Sequence, residues 1–142
     1  DAGAAVEEVS LADTMGWATP ARVERLVGAV RARWPALRLS LHLHDTRGLG
    51  IANAHAGLRL GIARFDAAVG GLGGCPFAGQ TGAPGNIATE ELVLLCEEMG
   101  IATGVDLDAL VEAGRLAERI VGRRLPSALL RSGPLARFRR AA

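Results

Sequence analysis

Two histidines one residue apart, His42 and His44, are the side chains best spaced for chemistry in this sequence. On a strand, residues i and i+2 project to the same side, so both imidazoles can converge on one divalent ion. The same spacing suits a hydrogen-bonded core pair or an exposed edge, and a metal would need further ligands. Asp45 follows directly; it can bind a ligand, orient a histidine, or close the strand in an Asx-turn. His55 falls inside a helical segment and reads as a packing or surface residue. The second feature is the run GGLGGCPFAGQTGAPGN, which ends at Asn86. Its glycines permit positive φ and close backbone approach to a ligand, and Gly73 and Gly74 are the expected substrate-facing positions. So long a stretch without regular structure points to a binding loop. It is not a dinucleotide fingerprint, because Pro76 stands where the third glycine would fall. Cys75, between Gly74 and Pro76, can serve as nucleophile or proton donor. Cys96 differs, since it forms an i, i+4, i+7 stripe with Leu92 and Met99 and reads as core. The Asn86 amide oxygen suits a hard cation, although capping the next helix would equally explain it.

The elements that must position these groups alternate. Strands are expected over Val6–Ala12, Leu37–His44 and Arg64–Val69. Thr19-Pro20 starts a helix that Pro35 stops, with Val23, Leu26, Val27 and Val30 on one face. A second helix follows the loop Asp45–Gly50 and runs to about Gly61. Others are expected over Ile87–Met99, with Gly100 as its C-cap, and from about Asp106 to Val121. Strand alternating with helix implies parallel strands and right-handed crossovers. The middle strand favours a barrel over an open sheet. Leu37, Leu39, Leu41 and Leu43 occupy one face, and Ser40, His42 and His44 the other, as on a barrel strand ending at the mouth. A complete barrel needs roughly 250 residues. The chain has 142, so the expected fold is α/β, the C-terminal part of a (β/α)8 barrel. Residues 1–122 form that part, and the arginine-bearing tail 123–142 is expected to fray.

Composition narrows the classes. Apolar residues make up 49% and charged residues 22%, an ordinary globular balance for one domain. All 16 basic side chains are arginine, and the absence of lysine excludes a Walker A loop and a Schiff-base lysine. A formal charge of +1 gives no footprint for nucleic acid or an anionic membrane as partner. Cys75 and Cys96 are too far apart for a CxxC pair, and no apolar run reaches the ~18–20 residues of a membrane span. The sequence begins DAGAAVEEV, without methionine or a signal-like segment, so a missing N-terminal half of the barrel is expected upstream. The alanine, glycine and arginine content suggests a bacterial, cytoplasmic protein. The oligomeric state stays open, a homo-oligomer included.

The order of the motifs adds what none carries alone. SLADTMG, HLHDTRGLGIAN, DAAVGGLGGCPFA and GNIATEELV closely resemble the 3-hydroxy-3-methylglutaryl-CoA lyase family, from about Val9 to Leu125. The resemblance implies a metal-dependent TIM barrel whose sixth, seventh and eighth strands and C-terminal helices lie here. It implies cleavage of 3-hydroxy-3-methylglutaryl-CoA to acetyl-CoA and acetoacetate with Mg2+ or Mn2+. His42, His44 and Asn86 match the family's metal ligands, Cys75 its catalytic cysteine, and Asp13 the acidic residue after the preceding strand. His42 also neighbours the substrate hydroxyl in that scheme and assists its proton transfer. Two departures stand out: the family's Arg-Asp pair on the first strand has no counterpart, and the stretch Cys75–Asn86 is two residues longer, around Gly79–Pro84. Three competing functions remain: a lyase for another 3-hydroxy-acyl-CoA, a Claisen-type synthase of the isopropylmalate or homocitrate kind, and a non-catalytic barrel remnant.

Overall fold

The computed structural model describes residues 6–74 and 84–139. Three parallel strands, β1 (Glu8–Ala12), β2 (Arg38–His42) and β3 (Phe65–Asp66), form one sheet in the order β1-β2-β3. Glu8 pairs with Arg38 and Ala12 with His42, while Leu41 pairs with Phe65 and His42 with Asp66. Each strand is shorter than its apolar pattern suggests, because pairing stops where the chain turns into the loops at the strand ends. The result is an α/β fragment with a three-stranded parallel sheet, which fits part of a barrel and leaves the far edges of β1 and β3 unpaired within the described residues. At the opposite, N-terminal ends of the strands, Glu7 pairs with Arg38 and Glu8 with Arg64.

Helix α1 (Pro20–Arg33) starts as its sequence dictates. The Thr19 hydroxyl accepts the Arg22 amide and Pro20 occupies the first turn, where no amide hydrogen is needed. Its buried face, Val23 and Val27, meets Leu39, Leu41 and Leu43 of β2 and its extension. Helix α2 (Gly50–Arg59) completes this core with Ala54 and Ala56, and His55 is exposed on its outer side. Helix α3 (Thr89–Glu98) ends at Gly100, whose φ of 73° lets Ile101 N–H return to the Cys96 carbonyl at 2.8 Å. Cys96 is buried, as its stripe required, and burial pushes its thiol up. Helix α4 (Leu107–Val121) is capped by the Asp106 carboxylate, which accepts the Ala109 amide at 3.0 Å.

The tail departs from expectation. From Gly122 to Arg139 the chain does not fray: Leu125, Leu129 and Leu130 are buried with Val93, Leu107 and Val111 in a second core cluster. Two short helices, α5 (Leu129–Ser132) and α6 (Leu135–Arg139), continue it. Carboxylates from α3 and α4 hold this segment. Glu91 accepts the Leu129 amide and the Ser127 hydroxyl, and Glu118 accepts the Leu125 amide. Apolar periodicity could not show this, since the segment is pinned through its backbone.

Candidate functional site

The site lies where β2 ends. The alternation of β2 sends the leucines into the α1–α2 core and turns His42 and His44 together to the other side. Their Nε2 atoms are 3.2 Å apart, with ring centroids at 5.0 Å. The partners of the other ring nitrogens decide what those Nε2 atoms offer. His44 Nδ1 lies 2.8 Å from the Thr14 carbonyl, which only accepts, so the proton sits on Nδ1. His42 Nδ1 lies 3.3 Å from a carboxylate oxygen of Asp66, the residue paired with it on β3, and is protonated on the same reasoning. Both Nε2 lone pairs therefore face one another. Such a pair repels unless a proton or a cation lies between. Two donors each about 2.1 Å from one ion, at right angles to each other, stand about 3.0 Å apart, close to the separation seen here.

Asn86 joins them through the backbone. His44 and Asn86 form an isolated antiparallel bridge, Asp45 N–H donates to the Gly85 carbonyl at 2.7 Å, and Ile87 N–H to the Leu43 carbonyl at 3.1 Å. Capping does not explain Asn86, because α3 begins at Thr89 and Ala88 occupies its cap. The Asn86 Nδ2 donates to the Leu72 carbonyl at 3.0 Å, while its Oδ1 is buried with no hydrogen-bond partner. A buried carboxamide oxygen left bare costs stability, and the chemistry that would satisfy it is a donor or a hard cation. Two imidazole nitrogens and an amide oxygen therefore fit a divalent ion. They fill half of a six-coordinate shell, and among the described residues no three His, Cys, Asp or Glu side chains cluster to complete it.

The other expected residues fall out differently. Both carboxylate oxygens of Asp13 accept backbone amides, from Trp17 at 2.8 Å and Ala18 at 3.1 Å, so the side chain shapes the loop after β1. Asp45 accepts the Gly50 amide at 2.7 Å, the turn-closing role, and burial raises its carboxyl above the usual range, with Glu91 adding repulsion. Gly73 does make a close backbone approach, but to Asn86: a Cβ there would lie 2.7 Å from Asn86 Nδ2. Gly74 faces open space. Cys75 and the longer stretch as far as residue 83 lie outside the described residues. Thr14 and Asp66, which set the histidine tautomers, do not stand out in the sequence. Thr14 acts through its carbonyl and has no signature, whereas Asp66 could have been found as the residue that register places beside His42.

Comparison with known proteins decides the family. The model described as HMGL-like matches residues 2–117. The chain belongs to the HMGL-like family. It is 48% identical over 122 residues to hydroxymethylglutaryl-CoA lyase YngG of Bacillus subtilis (strain 168), covering 86% of this chain and 40% of that relative. It is 47% identical over 128 residues to the (R)-citramalyl-CoA lyase of Chloroflexus aurantiacus, covering 90% of this chain and 40% of the relative. Among solved structures, an HMG-CoA lyase from Acinetobacter baumannii in complex with coenzyme A and 3-methylmalate superimposes with a TM-score of 0.81 at 49% identity, over 91% of this chain and 42% of that one. The chain thus spans about two fifths of the length of these HMGL-like relatives. The described helices of this family member include none long and apolar enough to cross a membrane.

Proposed function

We propose that this chain is the C-terminal part of a carbon–carbon lyase that cleaves 3-hydroxy-3-methylglutaryl-CoA to acetyl-CoA and acetoacetate. In this reading β1, β2 and β3 are the sixth, seventh and eighth strands of a TIM barrel, and the rest of the barrel lies upstream. His42, His44 and Asn86 hold a divalent ion, Mg2+ or Mn2+, with its remaining ligands from the upstream half and substrate. The single observation that carries this is the convergence of the two Nε2 atoms at the C-terminal end of the sheet, on a strand end whose His44 is bridged to Asn86, the residue with the unpartnered Oδ1. When bound, such an ion lowers the pKa of a substrate hydroxyl and fixes its geometry.

The residues of the chain then do the following. His42, with its Nδ1–H turned to Asp66 at 3.3 Å and its other nitrogen a ligand, assists the proton transfer by orientation, and the proton of the tertiary hydroxyl passes to a base of the upstream half. As the hydroxyl oxygen becomes a ketone, the bond to the acyl-CoA α-carbon breaks and its electron pair stays on that carbon. The Cys75 thiol delivers the proton that completes acetyl-CoA. Asp13 keeps the loop after β1 in shape, and through it the Thr14 carbonyl that fixes the His44 tautomer. Gly73 and Gly74 border the space the acyl chain enters. A bacterial, cytoplasmic protein, free to form homo-oligomers, suits this chemistry.

The test is to express the complete reading frame that contains this chain and offer it both 3-hydroxy-3-methylglutaryl-CoA and citramalyl-CoA, with Mg2+, with Mn2+ and with chelator. Acetoacetate formed from the first substrate and abolished by chelator is the expected outcome. Cys75→Ala should remove turnover and leave metal binding and melting unchanged. Preference for citramalyl-CoA would establish the second reading, a lyase for another acyl-CoA. The 47% identity to the (R)-citramalyl-CoA lyase favours that reading over a Claisen-type synthase or a non-catalytic barrel remnant. Turnover that survives chelator would overturn the metal assignment.

A further inference from the structure

Glu90 has no solvent exposure, and among the described residues it is the one carboxylate so completely enclosed. It stands in the first turn of α3, and both of its oxygens accept the same amide, that of Gly70, at 2.8 and 2.9 Å. A buried carboxylate is costly unless its oxygens are used, so what this one holds is informative. Gly70 lies inside the 3-10 turn Val69–Gly71, at φ 63°, where β3 hands over to the glycine-rich run. The turn delivers Leu72, whose carbonyl accepts Asn86 Nδ2 at 3.0 Å. A carboxamide tied down by its nitrogen presents its oxygen, and that oxygen is the unpartnered Oδ1.

The surroundings leave this turn little freedom. Ser127 N–H donates to the Gly70 carbonyl at 3.2 Å, and the Leu125 and Pro126 side chains fill the space where a Cβ on Gly70 or Gly71 would go. Glu90 is itself held from behind. At Gly114 of α4 a Cβ would lie 2.5 Å from Glu90 Oε1 and 2.4 Å from Leu130 Cδ2, so only glycine leaves the carboxylate its place. We propose that Glu90 is a positioning residue: through the Gly70 amide it sets the turn whose Leu72 carbonyl fixes the Asn86 carboxamide with its oxygen free for a hard cation. The proposal rests on the divalent-metal reading above and adds to it a residue that touches neither metal nor substrate.

The test uses Mn2+ itself as probe, with binding to the full-length protein read from the electron-spin resonance of free Mn2+ and no substrate present. Glu90→Leu should weaken Mn2+ binding by about ten-fold or more, as losing an orienting partner of a ligand does. Asn86→Ala should do at least as much, and the double variant should be no worse than Asn86→Ala alone, because both changes act through one oxygen. Glu90→Gln keeps an acceptor for Gly70 and should bind Mn2+ close to the wild-type level. Gly114→Ala, which alters neither the turn nor a ligand, should weaken binding by displacing Glu90, and it carries the comparison if Glu90→Leu does not fold. Additive losses, or folded Glu90→Leu and Gly114→Ala proteins that bind Mn2+ normally, would overturn the positioning role. If instead Asn86→Ala binds Mn2+ normally, the metal reading itself fails.

Discussion

The core between the sheet and α1–α2 and the core between α3, α4 and the tail are closed by different chemistry. In the first, Val23, Val27, Leu39, Leu41, Leu43, Ala54, Ala56, Ile62 and Ile87 pack on one another. In the second, six apolar residues are supplemented by carboxylates that reach across to backbone amides: Glu90 to Gly70, Glu91 to Leu129, Glu118 to Leu125. The first core presents the two histidines, and the second fixes the turn beside Asn86. One side of the site therefore rests on apolar packing, and the other on a few charge-assisted hydrogen bonds.

The largest effect is expected where the first core presents its chemistry. On the proposed lyase reading, His44→Ala in the full-length protein removes one of the two converging nitrogens, and turnover should fall by roughly 10³-fold or more, since a divalent ion held there would supply several kcal/mol of transition-state stabilisation. Melting should change little, because His44 contributes little apolar packing. A steady-state assay beside a thermal melt checks both halves, and retained activity would detach the histidines from the chemistry.

Next comes the contrast between the cores themselves. Leu43 of the first and Leu130 of the second are 2% and 3% exposed. Each truncated to alanine should cost about 2–5 kcal/mol in denaturant unfolding. Phe138, 63% exposed, should cost within about 0.5 kcal/mol as Phe138→Ala. A negligible cost at Leu130 would restore a frayed tail and dissolve the second core. A smaller effect is expected at Asp66. Asp66→Asn weakens the partner that fixes the His42 tautomer and should lower turnover or metal affinity by about 10–100-fold. Cys96→Ala should cost only about 1–2 kcal/mol of stability and leave turnover intact, because its thiol fills space in a core.

The contrast also explains what could be read in the sequence. The first core was legible because period two in LRLSLHLH and helical spacing from Val23 to Val30 are properties of side chains in order. That alternation also placed His42 and His44 on one side, whereas Asp66 came to His42 only with the register of β3 on β2. The second core was only half legible. Leu107, Val111 and the C-terminal glycines of α3 and α4 follow from pattern, but Glu90, Glu91 and Glu118 bond to amides, and every residue except proline has one. Nothing in the letters says which amide a carboxylate will meet. Asn86 illustrates the same limit: its sequence position suggests a helix cap, yet the helix starts three residues later and the carboxamide is held by a carbonyl instead.

The smallest effect is the one that isolates the tail. Glu118 accepts the Leu125 amide at 2.7 Å and pairs with Arg131, and this guanidinium holds its carboxyl well below the usual range, at about 2. Since the folded value lies below the ordinary one near 4.5, the folded state binds this proton less tightly than the unfolded chain. Its stabilisation is therefore complete above pH 4.5 and is lost as pH falls from there towards 2. The protection factor of the Leu125 amide, exchange relative to the unfolded chain at the same pH, should fall across that window, while amides of Leu39 and Leu41 in the sheet keep theirs. Glu118→Gln should bring the Leu125 protection factor at neutral pH part of the way to its acid value and flatten its pH dependence. If sheet and tail instead lose protection together, the two cores unfold as one unit, and the carboxylate hooks are no weaker a closure than the apolar one.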